Sequence, residues 1–326
     1  EAAHPVSDEN SIKAAETALE IADRLTENDT ALVLLSGGGS ALFEKSKISP
    51  ELQRTITEKL LARGAEIGEI NALRRRLSLV KGGRFASRCY PAPVITLALS
   101  DVLSDDKSVI AGGVTVYDET TDEEVKALSE KYLYDIPPAA LEVMYEKDNI
   151  KINGKGYCFV GNIASLCAGA EKKAEELGYK ASVVTKALTG EASERARQLL
   201  SDLPAENGKR AYIFGGETTV TLKGSGRGGR NQEMALTAAI KLRGSEHIVF
   251  ASAGSDGTDG PTDAAGGIAD GSTYDKIKQA GIIPERALEN NDSYNALAAA
   301  RALILTGPTG TNVNDLTLVL TDIPKN

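Results

Sequence analysis

Arg230 stands behind a glycine loop, in the run Gly226-Arg227-Gly228-Gly229-Arg230-Asn231-Gln232-Glu233. Two further polar, glycine-rich turns follow it, residues 254–263 (GSDGTDGPTD) and residues 306–315 (TGPTGTNVND). Such segments offer backbone donors, hydroxyls and carboxylates where a core would need apolar side chains. Arg230 opens a helical pattern, a place where charge preference favours acids, so a cation there suits a substrate carboxylate or a transferring phosphoryl group. Asn231 reads as a cap of the same helix. Asp256, Asp259 and Asp263 lack the spacing of an EF-hand and fit a Mg²⁺-binding or hydroxyl-binding loop better. Asn290-Asn291-Asp292 and the 306–315 stretch, with Thr309, Asn314 and Asp315, add amides and hydroxyls at a strand end.

The first half of the chain carries a second set. Ser36-Gly37-Gly38-Gly39-Ser40 lies between an apolar strand-like run and a helical pattern. Such a turn aims free N–H groups at an anion, so it reads as a phosphate site or as a turn that permits close packing. Lys81-Gly82-Gly83-Arg84, with Arg74-Arg75-Arg76 upstream, reads either as a binder of carboxylate or polyphosphate or as a solvated helix face. Asp101 ends another strand-like run, where a carboxylate can position Mg²⁺ or accept a hydroxyl proton, while Asp105 and Asp106 can cap a helix. No Walker P-loop pattern occurs, and Gly224-x-Gly226-x-x-Gly229 meets the dinucleotide fingerprint without the strand and acidic residue that should flank it. With only His4 and His247, a Ser-His-Asp hydrolase or a histidine-ligated metal enzyme is excluded. Carboxylates, cations and backbone donors without a covalent nucleophile are what phosphoryl transfer requires.

These residues need a scaffold, and the pattern supplies an α/β one. Apolar runs at 31–35, 94–99, 157–160, 181–184, 211–214, 248–252, 302–305 and 316–320 read as strands, with helical spacing over 10–25, 50–63, 166–177 and 230–243. Residues 218–222 alternate hydroxyl and apolar side chains, which suits an antiparallel or edge strand and makes the second sheet mixed. Patterning weakens from Asp135 to Gly156, which places a domain boundary near 150 and gives domains 1–150 and 151–326. The expected fold is two three-layer α/β/α domains, the first Rossmann-like with a mainly parallel sheet. At 326 residues and net charge −9, with 41% hydrophobic residues, the chain has the composition of a globular protein and no basic footprint for nucleic acid. No apolar run suits a membrane span. Cys89, Cys158 and Cys167 lack metal-ligand spacing, read as buried residues and suit a reducing cytoplasm. The residues leave oligomeric state open, a homodimer included.

The ordered motifs resemble the MOFRL-type glycerate 2-kinase family nearly end to end. They run from His4-Pro5-Val6-Ser7-Asp8-Glu9-Asn10 through Leu35-Ser36-Gly37-Gly38-Gly39-Ser40-Ala41-Leu42, Ile70-Asn71, Leu77-Ser78-Leu79-Val80-Lys81-Gly82-Gly83, Leu99-Ser100-Asp101-Val102 and Ala111-Gly112-Gly113-Val114-Thr115 to the three C-terminal turns. The resemblance implies two α/β domains with an interdomain cleft and phosphorylation of D-glycerate to 2-phosphoglycerate with ATP and Mg²⁺. It implies that Ser36 to Ser40 and Lys81-Gly82-Gly83 face phosphates and that Asp101 sits at the reacting hydroxyl or metal. Arg230 would hold the substrate carboxylate or γ-phosphate, and Glu217, Asp256 and Asp259 would complete the second wall. Asn231, Thr309 and Asn314 fall within the family motifs assigned to the nucleotide, and Asp101, Asp256 and Asp259 within those assigned to the metal. Family members also carry an upstream segment with a Gly-Lys pair, which the sequence as given does not contain, and Gly112-Gly113-Val114 stands where the family has Ser-Gly-Pro. A nicotinamide-dependent hydroxypyruvate reductase and a non-catalytic anion-binding relative are the alternative readings.

Overall fold

The computed structural model describes residues 7–146, 148–204 and 206–324, so the His4-Pro5-Val6 part of the first motif lies outside the described residues. The chain divides into two compact units, one of residues Glu1–Leu99 and Asp105–Val160, the other of Ser100–Ser104 and Gly161–Asn326.

In the first unit, β1 (Ala31–Leu35) and β2 (Val94–Leu99) pair in parallel, with Ala31 opposite Val94 and Leu35 opposite Ala98. The third strand, β3 (Gly154–Gly161), adds to the other edge of β2. Val94 N–H donates to the Asn153 carbonyl and Ser100 N–H to that of Gly161, so β3 runs in the same direction. One face of this sheet packs Ala31, Val33 and Val94 against Ala22, Phe85, Ala86 and Cys89 of flanking helices. The other face presents Leu32, Leu34, Ile95 and Val160 as exposed side chains. Beside the sheet, helices Pro50–Ala62, Ile67–Leu77, Asp122–Tyr132 and Pro138–Tyr145 bury Ile56, Leu60, Leu73, Val125 and Met144 in a core of their own. The last of these helices falls within the stretch where the sequence pattern weakens, because its buried face is only Ala140 and Met144.

The second unit is built on a six-stranded mixed sheet. Its strands are β4 (Lys180–Leu188), β5 (Gly208–Gly216), β6 (Ile248–Gly254), β7 (Gly266–Asp270), β8 (Leu303–Ile304) and β9 (Asp315–Ile323), in the order β4-β5-β9-β6-β7-β8. Only the β4–β5 pair is parallel. Alternation along the strands feeds two cores. Ile213, Leu316 and Leu318 meet Ile163 and Cys167 of helix Ile163–Glu176 on one face. Tyr212, Phe214, Phe250 and Val319 meet Met234, Leu236, Ile277 and Leu297 on the other. The sheet is therefore covered by helices on both sides.

Two expectations change. Residues 218–222 form no strand; they make only an isolated bridge, Glu191 to Thr219. Thr219 exchanges backbone hydrogen bonds with Gly190 and Ala192, and beyond it side chains serve as partners: Glu191 accepts from Thr221 N–H at 3.1 Å, and Asn291 Oδ1 accepts from Lys223 N–H, just past the segment, at 2.7 Å. A segment whose backbone donors are satisfied this way needs no neighbouring strand. Among the cysteines, Cys89 and Cys167 are buried as expected, but Cys158 is exposed because it lies on the uncovered face of β3. Burial, with Asp23 nearby, pushes the Cys89 thiol up to about 11. No helix among the described residues is long and apolar enough to cross a membrane.

An aromatic disulfide reagent at pH 8 is therefore expected to titrate one thiol, that of Cys158, in the folded protein and all three in denaturant; rapid reaction of a second thiol without unfolding would contradict this burial.

Candidate functional site

The second-unit motifs converge on the N-terminus of helix Arg230–Lys241. Gly229 is its N-cap and has no side chain to offer, yet the first-turn donors are satisfied. Asp259, 4% exposed, reaches in from the turn after β6. Its Oδ1 accepts from Asn231 N–H at 3.1 Å and from Asn231 Nδ2 at 3.3 Å; its Oδ2 accepts from Gln232 N–H at 2.8 Å and from Gln232 Nε2 at 3.0 Å. A carboxylate has about four acceptor positions, so this one is filled. Burial raises the Asp259 pKa against the lowering effect of the Gln232 and Asn231 backbone donors, with Asp315 adding to the rise. Gly229 must lack a side chain because a Cβ there would lie 2.4 Å from the Asp259 carboxyl carbon.

This cap fixes where Arg230 leaves the helix. Its Nε and Nη2 bind the two oxygens of Asp315 at 2.5 and 3.0 Å, and its Nη1 binds Glu217 at 3.0 Å. Asp315 begins β9 and Glu217 follows β5, its antiparallel neighbour, so the sheet brings both acids to one end. Burial works against the Arg230 charge, but the hydrogen bond and charge of Asp315, followed by Glu217, outweigh it and push the pKa up. Two N–H bonds are used by Asp315, with Glu217 in ion-pair contact, and a guanidinium has five N–H donors. The remaining donors can meet an anion.

Asn314, beside Asp315, donates through Nδ2 to the Asp101 carbonyl at 2.7 Å and to Glu217 Oε2 at 3.3 Å. Asp101, Glu217, Arg230, Asn314 and Asp315 thus form one cluster. Thr309 lies in the adjoining turn, its N–H on the Asp256 carbonyl and its hydroxyl on Ser255 O. Asp256 spends its carboxylate on Thr258, accepting from the N–H at 2.9 Å and the hydroxyl at 3.1 Å. Beside Arg230 opens a cavity of about 740 Å³ walled by Val220, Leu222 and Pro261, with Glu233 also in its lining.

Several of the expected site residues are engaged within the protein. Asp259 caps the helix, with both carboxylate oxygens accepting from Asn231 and Gln232. Asn231 is 1% exposed, its Oδ1 accepting from Ser252 Oγ at 2.6 Å. The Gly224, Gly226 and Gly228 pattern follows no strand; a Cβ at these positions would collide with Asn290, Asp292 and Ser293 respectively, so the glycines allow close approach of two loops. Among the described residues, no three His, Cys, Asp or Glu side chains gather as a metal site.

In the first unit, Ser36 to Ser40 form the turn after β1, with Gly38 at φ 80° and Gly39 opening a four-residue helix. Lys81 is 2% exposed and ion-paired with Glu44, which also accepts from Ser78 Oγ at 2.6 Å. Burial lowers the Lys81 pKa while Glu44 raises it, and burial wins. Gly82 and Gly83 donate their N–H groups to the carbonyls of Gly112 and Gly113, at 3.0 and 2.8 Å. Lys81, Gly82 and Gly83 are therefore engaged by partners within the first unit. Arg75 and Arg76 are likewise spent on Asp118, Thr120 and Asp122. Glu44 was not singled out in the sequence, where only its distance of 37 residues from Lys81 separates it from an obvious partner.

Comparison with known proteins identifies the chain's relatives. Residues 1–145 match the model of a domain of unknown function, DUF4147, and residues 210–315 match that of the MOFRL family. A D-glycerate 2-kinase of Thermotoga maritima is 48% identical over 330 residues, covering 98% of this chain and 79% of the relative. The crystal structure of a glycerate kinase from the same organism superposes with a TM-score of 0.93 over 98% of this chain and 80% of its own. A crystal structure from Pyrococcus horikoshii follows at 0.84 and 39% identity, covering 100% and 78%.

Replacing Lys81 by Met should cost about 3–5 kcal/mol by leaving Glu44 buried and unpaired, and adding Glu44→Leu should recover most of it. Urea denaturation of the single and double variants measures this; a double variant no more stable than Lys81→Met would contradict the pairing.

Proposed function

Because the chain belongs to the MOFRL-type glycerate kinase family, we propose that it transfers the γ-phosphoryl group of ATP to the 2-hydroxyl of D-glycerate. The observation that carries the reading is Arg230, fixed by Asp315 and Glu217 at a helix N-terminus with donors to spare. Phosphoryl transfer needs position and charge more than covalent chemistry, and a guanidinium held in one orientation supplies both without reorganising during reaction. Its free N–H groups would bind the carboxylate of glycerate or the oxygens of the transferring group.

The charge around Arg230 bears on Mg²⁺. One cation faces Asp315 and Glu217, with Asp259 also within its field, so the cluster carries an excess of negative charge. A polyphosphate would meet repulsion there unless a divalent cation came with it. Mg²⁺ is held by one or two carboxylates together with phosphate oxygens and water, and bound there it neutralises charge that develops on the phosphoryl group. Glu217, whose side chain is 45% exposed, and Asp101 are suited to that role; Asp256 and Asp259 are spent elsewhere. The Ser36 to Ser40 turn is proposed as a phosphate contact, and Asn314 and Thr309 as residues that hold the turns lining the nucleotide. A nicotinamide reductase finds no support in the Gly224 loop, whose glycines are used for packing against residues 290–293.

With ATP, Mg²⁺ and D-glycerate, the ³¹P spectrum should show 2-phosphoglycerate, and Arg230→Ala should lower turnover by about 100-fold or more. Arg230→Lys, which keeps the charge but loses the fork on Asp315, should also fall while melting near the parent temperature. Near-normal turnover in both variants would overturn the site.

A further inference from the structure

Besides Arg230, Glu233 presents to the cavity a group whose hydrogen bonding folding leaves incomplete. It sits in the first turn of helix Arg230–Lys241, 4% exposed, and lines the cavity beside Arg230. Its Oε2 accepts from Asn291 Nδ2 at 3.3 Å, the one protein hydrogen bond to the carboxyl group among the described residues, and Oε1 is left open to the cavity. Burial pushes its pKa up, opposed by the Asn291 hydrogen bond. A carboxyl group this buried is costly unless its oxygens are paired, and a group of that kind facing a cavity invites completion by a ligand donor.

Asn291 is built to hold that arrangement. It adopts φ 54°, a left-handed conformation that asparagine tolerates better than most residues. Its Oδ1 accepts from Lys223 N–H at 2.7 Å and Gly224 N–H at 3.0 Å, and its Nδ2 also donates to the Thr221 carbonyl at 3.3 Å. One side chain thereby fixes both the glycine loop that forms the cavity rim and the orientation of Glu233.

We infer that Glu233 contacts substrate, its unpaired carboxyl oxygen accepting a hydrogen bond from a hydroxyl or amino group of the bound molecule, with Asn291 as the residue that positions it. The inference rests on the kinase reading, which supplies two sources of such a donor: the hydroxyls of D-glycerate, and the amino or ribose hydroxyl groups of ATP.

Glu233→Gln separates ligand contact from packing. The amide oxygen can serve Asn291 or the ligand, but not both, because its nitrogen would oppose another donor on the remaining side. Losing a hydrogen bond to a charged group should raise the KM of one substrate by about 10-fold or more, with the other within about twofold and the melting temperature unchanged. Elevation of the glycerate KM identifies the acid as the donor, and elevation of the ATP KM identifies the nucleoside. Asn291→Asp, which keeps the acceptor for Lys223 and Gly224 but removes the donor to Glu233, should raise the same KM more than it lowers kcat. Calorimetric titration with D-glycerate and with a non-hydrolysable ATP analogue should repeat the pattern without turnover. Both KM values unchanged in folded Glu233→Gln, or both raised equally, would overturn the inference. Absence of kinase turnover in the parent protein, by contrast, would count against the kinase reading itself, and unchanged calorimetric affinities would then count separately against Glu233.

Discussion

The second unit turns on a single cap. Asp259 closes the N-terminus of helix Arg230–Lys241 from 27 and 28 residues away in sequence, taking both backbone donors and both side-chain amides of Asn231 and Gln232. An acid at a helix N-terminus is favoured by the exposed N–H groups and by the helix dipole, so the contact is stabilising in itself. It also ties the turn after β6 to the glycine loop, and Gly229 permits an approach that any side chain would block. Arg230 then leaves the helix with no freedom over its direction. The chemistry proposed for the site depends on that direction.

Around Arg230 the antiparallel pairing of β5 with β9 does the remaining work. It sets Gly216 opposite Asp315, so that Glu217 and Asp315 arrive at the guanidinium from neighbouring strands. The result is a cation bound by more negative charge than it carries. In the first unit the logic differs, since Lys81 and Glu44 form a buried pair that neutralises itself. Its desolvation is opposed, though not fully offset, by mutual attraction, and the Ser78 hydroxyl adds a hydrogen bond to Glu44.

Strands whose neighbours are sheet were legible in the sequence. The apolar runs 31–35 and 94–99 coincide with β1 and β2, and the mixed character of the second sheet is observed. Residues 218–222 show an equally strand-like alternation, yet Thr221 N–H is taken by the Glu191 side chain, 30 residues away, and the Thr221 carbonyl accepts from the Asn291 side chain, 70 residues away. No local pattern encodes such a substitution. The site was legible as a set of residues more than as a set of roles. Arg230, Glu217 and Asn314 meet, with Asp101 joined through its backbone carbonyl, whereas Lys81, Asn231 and Asp259 find partners elsewhere in the protein. Acid and amide side chains look alike in sequence whether they await a ligand or satisfy a backbone, and only the partner decides.

The distinction is sharpest at Asp259, and its replacement by Asn is the most direct test. Asparagine keeps one acceptor and loses the other, so the variant should be less stable by about 1–2 kcal/mol, the value of a helix cap. Its turnover should fall because Arg230 is less well held, while the Mg²⁺ concentration for half-maximal rate stays within about twofold of the parent. A Mg²⁺ requirement raised by about 10-fold or more, with stability unchanged, would instead make Asp259 a metal ligand and contradict the account.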